Sequence, residues 1–432
     1  MLFRCPSRGE PVSLSVYIVQ NDMEEHMQQN NVQGITIASL KLFMLLYADD
    51  AVLFAENKVN LQKAITHLAS YCKQWKLTLN TEKTKVVVFR KSGRLPSNLA
   101  FYYEGTQLEI VNQFKYLGVQ FSHTSSFTCV QQTLAGQAQK ALFKIEKFVQ
   151  NLEVKPIFMM DLFDKLVLPI VMYGAEVWGF HDAPCIEKLH LKYCKKVLKV
   201  KSSTVSDIVR NELGRVDIKT QRILLILLYW AKLVQKPDHR YVKQIYNVLL
   251  YDAENMKTNW VSNVKHVLYS LGMGDAWLAQ GVGNIKVFKS FCKQRLYDNY
   301  FQQRESRFRN SSRGKFYLQF HSFSSVPVYH KCIISMNHLY AFIKFRSSSH
   351  QLRIETGRWH KPQPIPYNER LCRTCGKLDD EFHFIFECNL HDDICKQYIS
   401  CYYTNNPSMY KFINLLQSEN AEEIKKTGNF CL

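Results

Sequence analysis

The chain has 432 residues, of which 46% are hydrophobic and 22% charged, as in ordinary globular proteins. It carries 56 Lys and Arg against 37 Asp and Glu, so its formal net charge is +19. This excess favours nucleic acid or another polyanion as a partner, because each neutralised phosphate releases counterions. A basic protein without such a partner is the alternative. The length allows two to four domains.

The cysteines and the apolar runs indicate in which cellular compartment the protein is expected. The 13 cysteines are odd in number and scattered, which indicates a reducing compartment rather than a disulfide scaffold. Met1–Pro6 lacks the pattern of a signal peptide, and the most apolar run, Ile223–Ala231, is too short to span a bilayer. We therefore expect an intracellular protein, nuclear or cytoplasmic, without a membrane partner.

Near the N-terminus, two adjacent carboxylates lie between two apolar runs. Leu42–Leu46 and Ala51–Ala55 each have strand length, so they predict a buried hairpin that closes at Tyr47–Asp50. Carboxylates at such a place need a partner, and a divalent metal ion is the natural one. Because successive strand residues point to opposite faces, we expect Asp49 to be the more direct ligand. A solvent-exposed acidic turn is the alternative for the tetrapeptide alone.

The pattern after the hairpin changes from mixed to helical. Asn60–Trp75 has apolar residues on one helical face, and Val86–Phe89 and Phe114–Phe121 predict strands. From about residue 130 to 285, apolar residues recur at intervals of three and four. This spacing predicts helices that include Ala138–Phe148, Asp161–Tyr173, Ile186–Val200 and Gln221–Val234.

A later stretch, Lys293–Lys315, interleaves basic and aromatic residues. Such a mixture suits neutralisation of a nucleic-acid backbone together with stacking on bases. A solvated helix face over an ordinary aromatic core explains the same residues equally well. Pro362–Pro366 follows as a stiff linker and marks a domain boundary.

The C-terminal region contains a cluster of metal-ligand residues. Cys372 and Cys375 form a CxxC pair, and His383 and Cys388 follow at a distance that lets the chain fold back. Three thiolates and an imidazole complete a tetrahedron around Zn²⁺, so we expect a closed structural zinc site. Alternatives are reduced thiols without metal, or a different fourth ligand among the spare candidates His391, Cys395 and Cys401. Arg370 and Arg373 flank the cluster and are candidates for phosphate contacts.

Taken in order, these motifs resemble the palm of reverse transcriptases from non-LTR (LINE-like) retrotransposons. Tyr47–Asp50 is similar to the catalytic box of that family, and Asn80 with Lys83-Thr84 is similar to the next motif. Tyr116-Leu117-Gly118 resembles the primer-grip hairpin. Leu166–Gly179 and the cysteine–histidine cluster are similar to segments found downstream of the polymerase in such elements.

The resemblance implies a set of roles. Asp49 and Asp50 would be catalytic carboxylates that hold Mg²⁺, and Lys83 would assist the leaving pyrophosphate. Tyr116, Leu117 and Gly118 would form the primer grip. Zn²⁺ would be held by Cys372, Cys375, His383 and Cys388. The partners would be an RNA template and a DNA primer or target.

The resemblance also implies an α+β fold, with a partial palm of antiparallel sheet and helix followed by a mainly helical region and a small zinc module. We expect the palm at residues 1–125, a helical thumb-like region at 126–285, a basic and aromatic helical region at 286–361 and the zinc module at 366–402.

One departure concerns the catalytic site. The family needs a further aspartate on a strand well before the hairpin, yet only 46 residues precede Tyr47. Ser7–Glu10 and Tyr17–Glu25 look like a remnant of the intervening motif, and Asp22 falls on its wrong side. We also expect the fingers subdomain to be missing. One hairpin of carboxylates does not hold two metal ions in place.

This departure separates the candidate functions. The expectation is a truncated retrotransposon-derived product that binds nucleic acid and is not catalytically competent alone. The alternatives are an active polymerase for target-primed reverse transcription, if an upstream segment belongs to the protein, and a domesticated nucleic-acid-binding protein.

Overall fold

The computed structural model of the protein describes residues 2–4, 22–38, 40–48, 50–91, 93–311, 313–314, 316–320 and 326–431. The chain groups into two compact units. The first unit comprises Met1–Thr133, Glu176–His181 and Leu228–Gly283, and the second comprises Leu134–Ala175, Asp182–Leu227 and Asn284–Leu432. The four domains expected from the sequence stay a prediction.

The strands are short, between two and four residues each, and all lie in the first unit. They are β1 (Leu2–Arg4), β2 (Ile35–Ile37), β3 (Leu40–Leu42), β4 (Met44–Tyr47), β5 (Asp50–Leu53), β6 (Lys85–Val86), β7 (Tyr102–Tyr103), β8 (Thr106–Gln107), β9 (Glu109–Ile110), β10 (Gln113–Tyr116) and β11 (Val119–Ser122).

Five of these strands form one sheet in the order β4-β5-β1-β6-β9. All neighbours are antiparallel except β6 and β9, which run parallel. Three two-stranded hairpins, β2-β3, β7-β8 and β10-β11, complete the strand pairing of the described residues. The strand expected at Val86–Phe89 is shorter in the structure and covers Lys85–Val86, after which the Arg90 N–H donates to the His123 carbonyl.

The helices cover most of the rest of the chain. They are α1 (Met23–Gln29), α2 (Lys58–Gln74), α3 (Thr128–Val149), α4 (Pro156–Leu162), α5 (Leu168–Val171), α6 (Ala175–Trp178), α7 (Pro184–Val197), α8 (Ser206–Glu212), α9 (Ile218–Val234), α10 (Tyr241–Glu254), α11 (Trp260–Ser270), α12 (Gly274–Leu278), α13 (Ile285–Arg309), α14 (Tyr317–Phe320), α15 (Met336–Arg346), α16 (Arg353–Thr356), α17 (Glu381–Phe386), α18 (Asp392–Tyr398), α19 (Cys401–Thr404), α20 (Met409–Gln417) and α21 (Ala421–Phe430). Short 3₁₀ turns lie at Val328–His330, Gly357–Trp359, Tyr367–Glu369 and Asn389–His391.

The mixture of helices and small sheets confirms the α+β class at that level. Each of the four helices expected between residues 138 and 234 is present. The segment Asp161–Tyr173 contains a π-helical turn, Phe163–Val167, between α4 and α5. Pro169 lies in the first turn of α5 and has no N–H to donate to a carbonyl of the preceding turn. The π-helical turn before it shifts the hydrogen bonds by one residue, so that fewer carbonyls lack a partner.

Helix α2 supplies the core of the first unit. The Asn57 side chain caps its N-terminus by accepting from the Asn60 N–H at 2.9 Å, which starts the helix before the expected Asn60. Its buried face, with Ile65 and Leu68, packs in one hydrophobic cluster with Leu53 of the sheet. This packing holds the end of β5, and therefore the carboxylate hairpin, against a rigid element.

The basic and aromatic helix α13 belongs to the second unit. Tyr300, Arg304 and Phe308 are buried, and Arg307 forms an ion pair with Asp207 at 2.9 Å. This burial supports the structural interpretation for Tyr300 and Phe308, whose rings form core rather than a stacking platform for bases.

The second unit also contains a buried ion pair. The Arg346 guanidinium lies 3.2 Å from the Glu212 carboxylate, and the Tyr317 hydroxyl donates to the same carboxylate at 2.7 Å. A charge buried at this depth needs such partners. Among the described residues, no helix combines the length and the apolar composition that a membrane crossing requires.

Candidate active site and metal centre

The carboxylate hairpin is formed by β4 and β5, which confirms the hairpin expected from the sequence. Tyr47 pairs with Asp50, so the connection between the two strands is only two residues long and includes Ala48. Ala48 has a φ of +50°, the left-handed conformation that primed hairpin turns need and that alanine adopts at a cost. Asp50 is partly buried at the start of β5. Asp49 lies outside the described residues, so its role as the more direct ligand stays a prediction.

The expected primer-grip residues lie at a second hairpin, β10-β11. Tyr116 pairs with Val119, and Leu117 and Gly118 form the turn with φ values of +46° and +82°. Glycine suits the second of these positions because it has no Cβ. Burial, followed by the charge of the Asp50 carboxylate, raises the pKa of Tyr116. The structure therefore brings Tyr116 and Asp50 into the same neighbourhood of the first unit.

The predicted Lys83 lies on a turn made by Asn80. The Asn80 side chain accepts from the Lys83 N–H at 3.0 Å, and its carbonyl accepts from the Thr84 hydroxyl at 2.8 Å. Thr84 is fully buried, whereas Lys83 is exposed. Buried Thr84 thus fixes the turn, and the Lys83 ammonium lies on the surface. The assignment of Lys83 to catalysis remains a prediction.

The Asp22 carboxylate is engaged in a hydrogen bond within the first unit, so the expectation that it is not the further catalytic carboxylate stays a prediction. The Asp22 side chain accepts a hydrogen bond from the Tyr71 hydroxyl on α2, which packs against α1. Burial, then this hydrogen bond and the charge of Asp22, raise the pKa of Tyr71. Ser7–Glu10 and residues 17–21 lie outside the described residues. Within the described parts of the chain, Asp50 belongs to no group of three or more potential metal ligands.

The four expected zinc ligands do come together. The ligand atoms of Cys372, Cys375, His383 and Cys388 all lie within 4.8 Å of one another. The Cys388 sulfur is 3.9 Å from that of Cys372 and 3.6 Å from that of Cys375. Tetrahedral Zn–S bonds of about 2.3 Å place sulfur atoms about 3.8 Å apart, so these separations suit a metal and not a disulfide.

Local hydrogen bonds explain the shape of this metal-ligand group. The Cys372 N–H donates to Lys377 at 2.7 Å, and Gly376 takes the left-handed φ of +66° that the tight loop requires. The Asp380 side chain caps α17 by accepting from the His383 N–H at 2.9 Å. The N–H of Cys388 donates to the carbonyl of His383 at 2.9 Å, which fixes the last ligand at the end of the helix.

The His383 ring is the strongest sign of a missing ligand. His383 is 2% exposed, and both ring nitrogens are buried without a hydrogen-bond partner among the described residues. Buried polar atoms normally have partners, and a metal ion would satisfy one nitrogen here. The Glu387 carboxylate lies 3.6 Å from Nδ1, where it can orient the ring. Sequence reasoning missed Glu387, although its position four residues after His383 on a helix was a usable signal.

The thiols are set up for deprotonation. Burial disfavours the Cys372 thiolate, but the N–H groups of Cys375 and Thr374 and the His383 side chain lower the pKa of Cys372 to about 6. Burial and the neighbouring sulfur atoms raise the pKa of Cys388 to about 11. Three thiols in contact do not all ionise without a cation, which is the condition that Zn²⁺ meets.

The spare candidates lie outside this group, which leaves Cys388 as the fourth ligand that the structure brings together. The Cys395 thiol lies 3.1 Å from the Ile385 carbonyl, Cys401 is exposed, and the His391 ring packs on Phe384. All three therefore have other surroundings.

The expectation that Arg370 contacts phosphate is wrong. Arg370 is buried, and its guanidinium donates to the carbonyls of Ile354 and Ile365 at 2.9 and 3.0 Å. A Cβ on Gly357 would lie 2.9 Å from the Arg370 side chain, so this glycine allows the close approach. Arg373, in contrast, is exposed.

Comparison with known proteins agrees with the hairpin region. Residues 12–121 match the family described as reverse transcriptase (RNA-dependent DNA polymerase). An uncharacterized transposon-derived protein of Caenorhabditis elegans is 29% identical over 40% of this chain and 62% of its own length. A protein of Drosophila melanogaster named as a probable RNA-directed DNA polymerase from transposon BS is 28% identical over 32% of this chain and 16% of its own.

A retrovirus-related Pol polyprotein from the type-1 retrotransposable element R2 of Popillia japonica is 25% identical over 40% of this chain and 28% of its own length. The match thus spans less than two thirds of each relative. The resemblance inferred from Tyr47–Asp50 and its neighbours is confirmed: the chain carries a reverse transcriptase domain within residues 12–121 and is similar to polymerases of transposons and non-LTR retrotransposons.

Proposed function

We propose that this protein binds nucleic acid through a partial reverse transcriptase palm and a zinc-stabilised C-terminal module. The observation that carries the proposal is the match of residues 12–121 to the reverse transcriptase family, together with the electrostatic effect of Asp50 on Tyr116, two residues that the family uses near the primer terminus. The net charge of +19 supplies the electrostatic attraction to phosphates. An RNA template and a DNA primer or target are the proposed partners.

The metal-ligand group supports the second part of the proposal. Cys372, Cys375, His383 and Cys388 fit Zn²⁺ by donor type and separation, and the unpartnered His383 ring supports an ion there. With four protein ligands the ion would be structural, because no coordination position is left for a substrate. Its contribution is to fold the loop that carries Arg373.

We further propose that the chain by itself binds rather than polymerises. Two-metal phosphoryl transfer needs several carboxylates around both ions. In the described residues, the aspartate that precedes the hairpin, Asp22, accepts a hydrogen bond from Tyr71. Asp49 and Asp50 would hold Mg²⁺ by family resemblance, with no closed two-metal site supported by the described residues.

Binding is tested by fluorescence anisotropy of the full zinc-loaded chain with labelled RNA and DNA oligonucleotides over a salt series. We expect log K to fall linearly with log salt concentration, with a slope of about −0.7 per phosphate contact on single strands. An affinity that does not change with salt would contradict the proposal.

RNA-directed DNA polymerase activity is the second candidate, favoured by the same Asp50–Tyr116 neighbourhood. A primer-extension assay with Mg²⁺ and an RNA template decides between the two. We expect no extended product. Robust synthesis that disappears in both Asp49→Asn and Asp50→Asn, and persists in Asp22→Asn, would establish polymerase activity instead.

A further inference from the structure

A large cavity in the second unit lies beside the metal-ligand group. Its volume is about 1220 Å³, and Arg373 and Thr374 of the Cys372–Cys375 loop line one side. Lys344 on α15 and Lys199 line it as well. Small-molecule sites usually measure roughly 300–1,000 Å³, so this basic cavity exceeds the size of a metabolite site.

The lining is strongly positive. Five of its side chains are cationic and one, that of Asp379, is a carboxylate; the cationic residues are Lys199, Lys201, Lys344, Arg353 and Arg373. Asp379 already accepts from the Arg353 N–H at 2.7 Å. The local excess of positive charge therefore attracts an anion.

Three of these cations are available to a ligand. Lys201 donates to the His350 carbonyl at 2.5 Å, and the Arg353 guanidinium donates to the Leu371 carbonyl at 3.0 Å. Lys199, Lys344 and Arg373 are exposed and form no ion pair with any carboxylate in the described part of the chain. The Lys199 ammonium lies 4.2 Å from the centre of the Tyr340 ring, which directs it along the cavity wall.

The cavity continues beyond Lys199. A second cavity of about 670 Å³ shares Lys199, Asn337 and Tyr340 with the basic cavity and extends to Lys147 and to Lys196, which forms an ion pair with Glu146 at 2.7 Å. A continuous groove of this kind fits a linear polymer better than a compact ligand. Its concave form does not fit the flat surface of a membrane.

Two aromatic residues of the basic cavity, Tyr340 and Phe345, favour contact with the backbone rather than the bases. Tyr340 is 8% exposed and Phe345 is 3% exposed, so neither ring face is open for stacking. Recognition would rest on phosphates, which carry no sequence information.

We propose that the basic cavity binds the phosphate backbone of one nucleic-acid strand, with Lys199, Lys344 and Arg373 as the contacts. This inference rests on the proposed nucleic-acid binding and assigns it to one groove. The cavity admits a few nucleotides of a single strand, whereas a duplex with two backbones and stacked base pairs does not enter it. Arg373 lies between two of the proposed zinc ligands, so the metal positions one wall of the groove.

The test compares two triple variants of the full zinc-loaded chain. The groove variant carries Lys199→Gln, Lys344→Gln and Arg373→Gln. The control variant carries the same charge change at exposed positions that do not line the cavity: Lys286→Gln, Lys289→Gln and Lys425→Gln. Both are titrated by fluorescence anisotropy with a labelled 12-nucleotide single strand, as RNA and as DNA, and with the matching duplex.

We expect the groove variant to bind the single strands roughly 10- to 50-fold more weakly at 0.15 M salt, with a salt slope smaller in magnitude by about two, one step of about 0.7 for each lost contact. The control variant should change affinity less than about threefold, and duplex binding should respond equally to both variants. Circular dichroism and zinc content check that both variants fold.

Four results would overturn the inference. Equal weakening by both variants would show a diffuse electrostatic surface. Competition by polyglutamate as effective as competition by unlabelled oligonucleotide would indicate an acidic protein partner. Failure of the wild-type chain to bind any oligonucleotide would reject the proposed function itself, whereas normal binding by the groove variant rejects the groove alone.

Discussion

At the scale of single residues, the metal-ligand group is the most specific feature. Its donors come from a tight loop and from the two ends of a short helix, and their separations match the edges of a zinc tetrahedron. Neighbouring His391, Cys395 and Cys401 are also potential ligands in sequence terms, but the structure separates them from the group. This contrast provides a matched pair of substitutions.

We expect the reduced wild-type protein to contain about one zinc ion per chain. Cys375→Ser should lose most of that zinc, because it removes one of four ligands, whereas Cys401→Ser should keep it because Cys401 is exposed and outside the group. Inductively coupled plasma mass spectrometry of the purified, reduced chain gives the stoichiometry. Zinc-free wild type, or equal loss from both variants, would contradict the site.

His190 on α7 makes stability sensitive to acid. It is 1% exposed and packs against Phe163 with ring centres 5.0 Å apart. Burial, followed by the charges of Arg210 and Arg215, lowers the pKa of His190 from 6.5 to about 3. Between these values the unfolded chain holds a proton on this residue that the folded chain does not, so folding stability decreases as pH falls, by roughly 1.4 kcal/mol per pH unit.

His190→Gln should therefore flatten the dependence of the free energy of unfolding on pH between 6 and 4 by about one proton. His239→Gln, at an exposed position, should leave that dependence as in the wild type. Urea denaturation at a series of pH values measures both. An unchanged slope in His190→Gln would mean that His190 is protonated in the folded protein.

At the scale of elements, the turns of the two candidate-site hairpins decide where functional residues point. Both contain non-glycine residues at positive φ, Ala48 and Leu117, and only the second has glycine next to it. Gly118 has a φ of +82°, a conformation that residues with a Cβ adopt only at a cost in free energy.

Gly118→Ala should lower the free energy of unfolding by about 1–2 kcal/mol, because alanine disfavours the left-handed region. Gly136→Ala provides the control of opposite sign. Gly136 lies in the middle of α3 with open space around it, so alanine should stabilise the helix by about 0.4–1 kcal/mol. Urea denaturation of both variants tests the pair, and a stabilised Gly118→Ala variant would exclude the turn described above.

Elements also show what a sequence can and cannot predict. The β4-β5 hairpin, helix α2 and the CxxC loop follow from patterns within some 20 residues, and each was predictable. The burial of Arg370 was not, because Ile354, which takes its hydrogen bond, lies 16 residues away and carries no signal in its own sequence. Nor could spacing choose between a base-stacking and a core role for the aromatic residues of α13, since both use the same helical face.

At the scale of the whole molecule, the fold of the second unit brings together charges that lie far apart in the sequence. The net charge of +19 indicates a polyanionic partner, but it does not locate the contacts. Lys199, Lys344 and Arg373 are separated by up to 174 residues and meet only through the fold of the second unit, so the basic cavity has no sequence signature.

We expect zinc to stabilise the second unit and not the first. Phe384 of α17, between ligands His383 and Cys388, packs with Phe345 of α15 and Phe430 of α21 at ring distances of 5.7 and 5.0 Å. Without the metal ion, no cation holds the three thiols and the His383 ring together, so α17 should become less stable. Part of the aromatic packing of Phe384 should be lost as a result. The core around α2 in the first unit contains none of these residues.

Hydrogen-exchange mass spectrometry before and after chelation measures this difference. We expect faster exchange in α17, α15 and α21 after zinc is removed, and unchanged exchange in α2 and the β4-β5 hairpin. Cys401→Ser should respond to the chelator like the wild type, whereas Cys375→Ser should exchange like chelated protein before any chelator is added. Unchanged protection of α17 after complete zinc removal would show that the module folds without metal. Uniform loss of protection in both units would show that zinc stabilises the whole chain rather than the second unit.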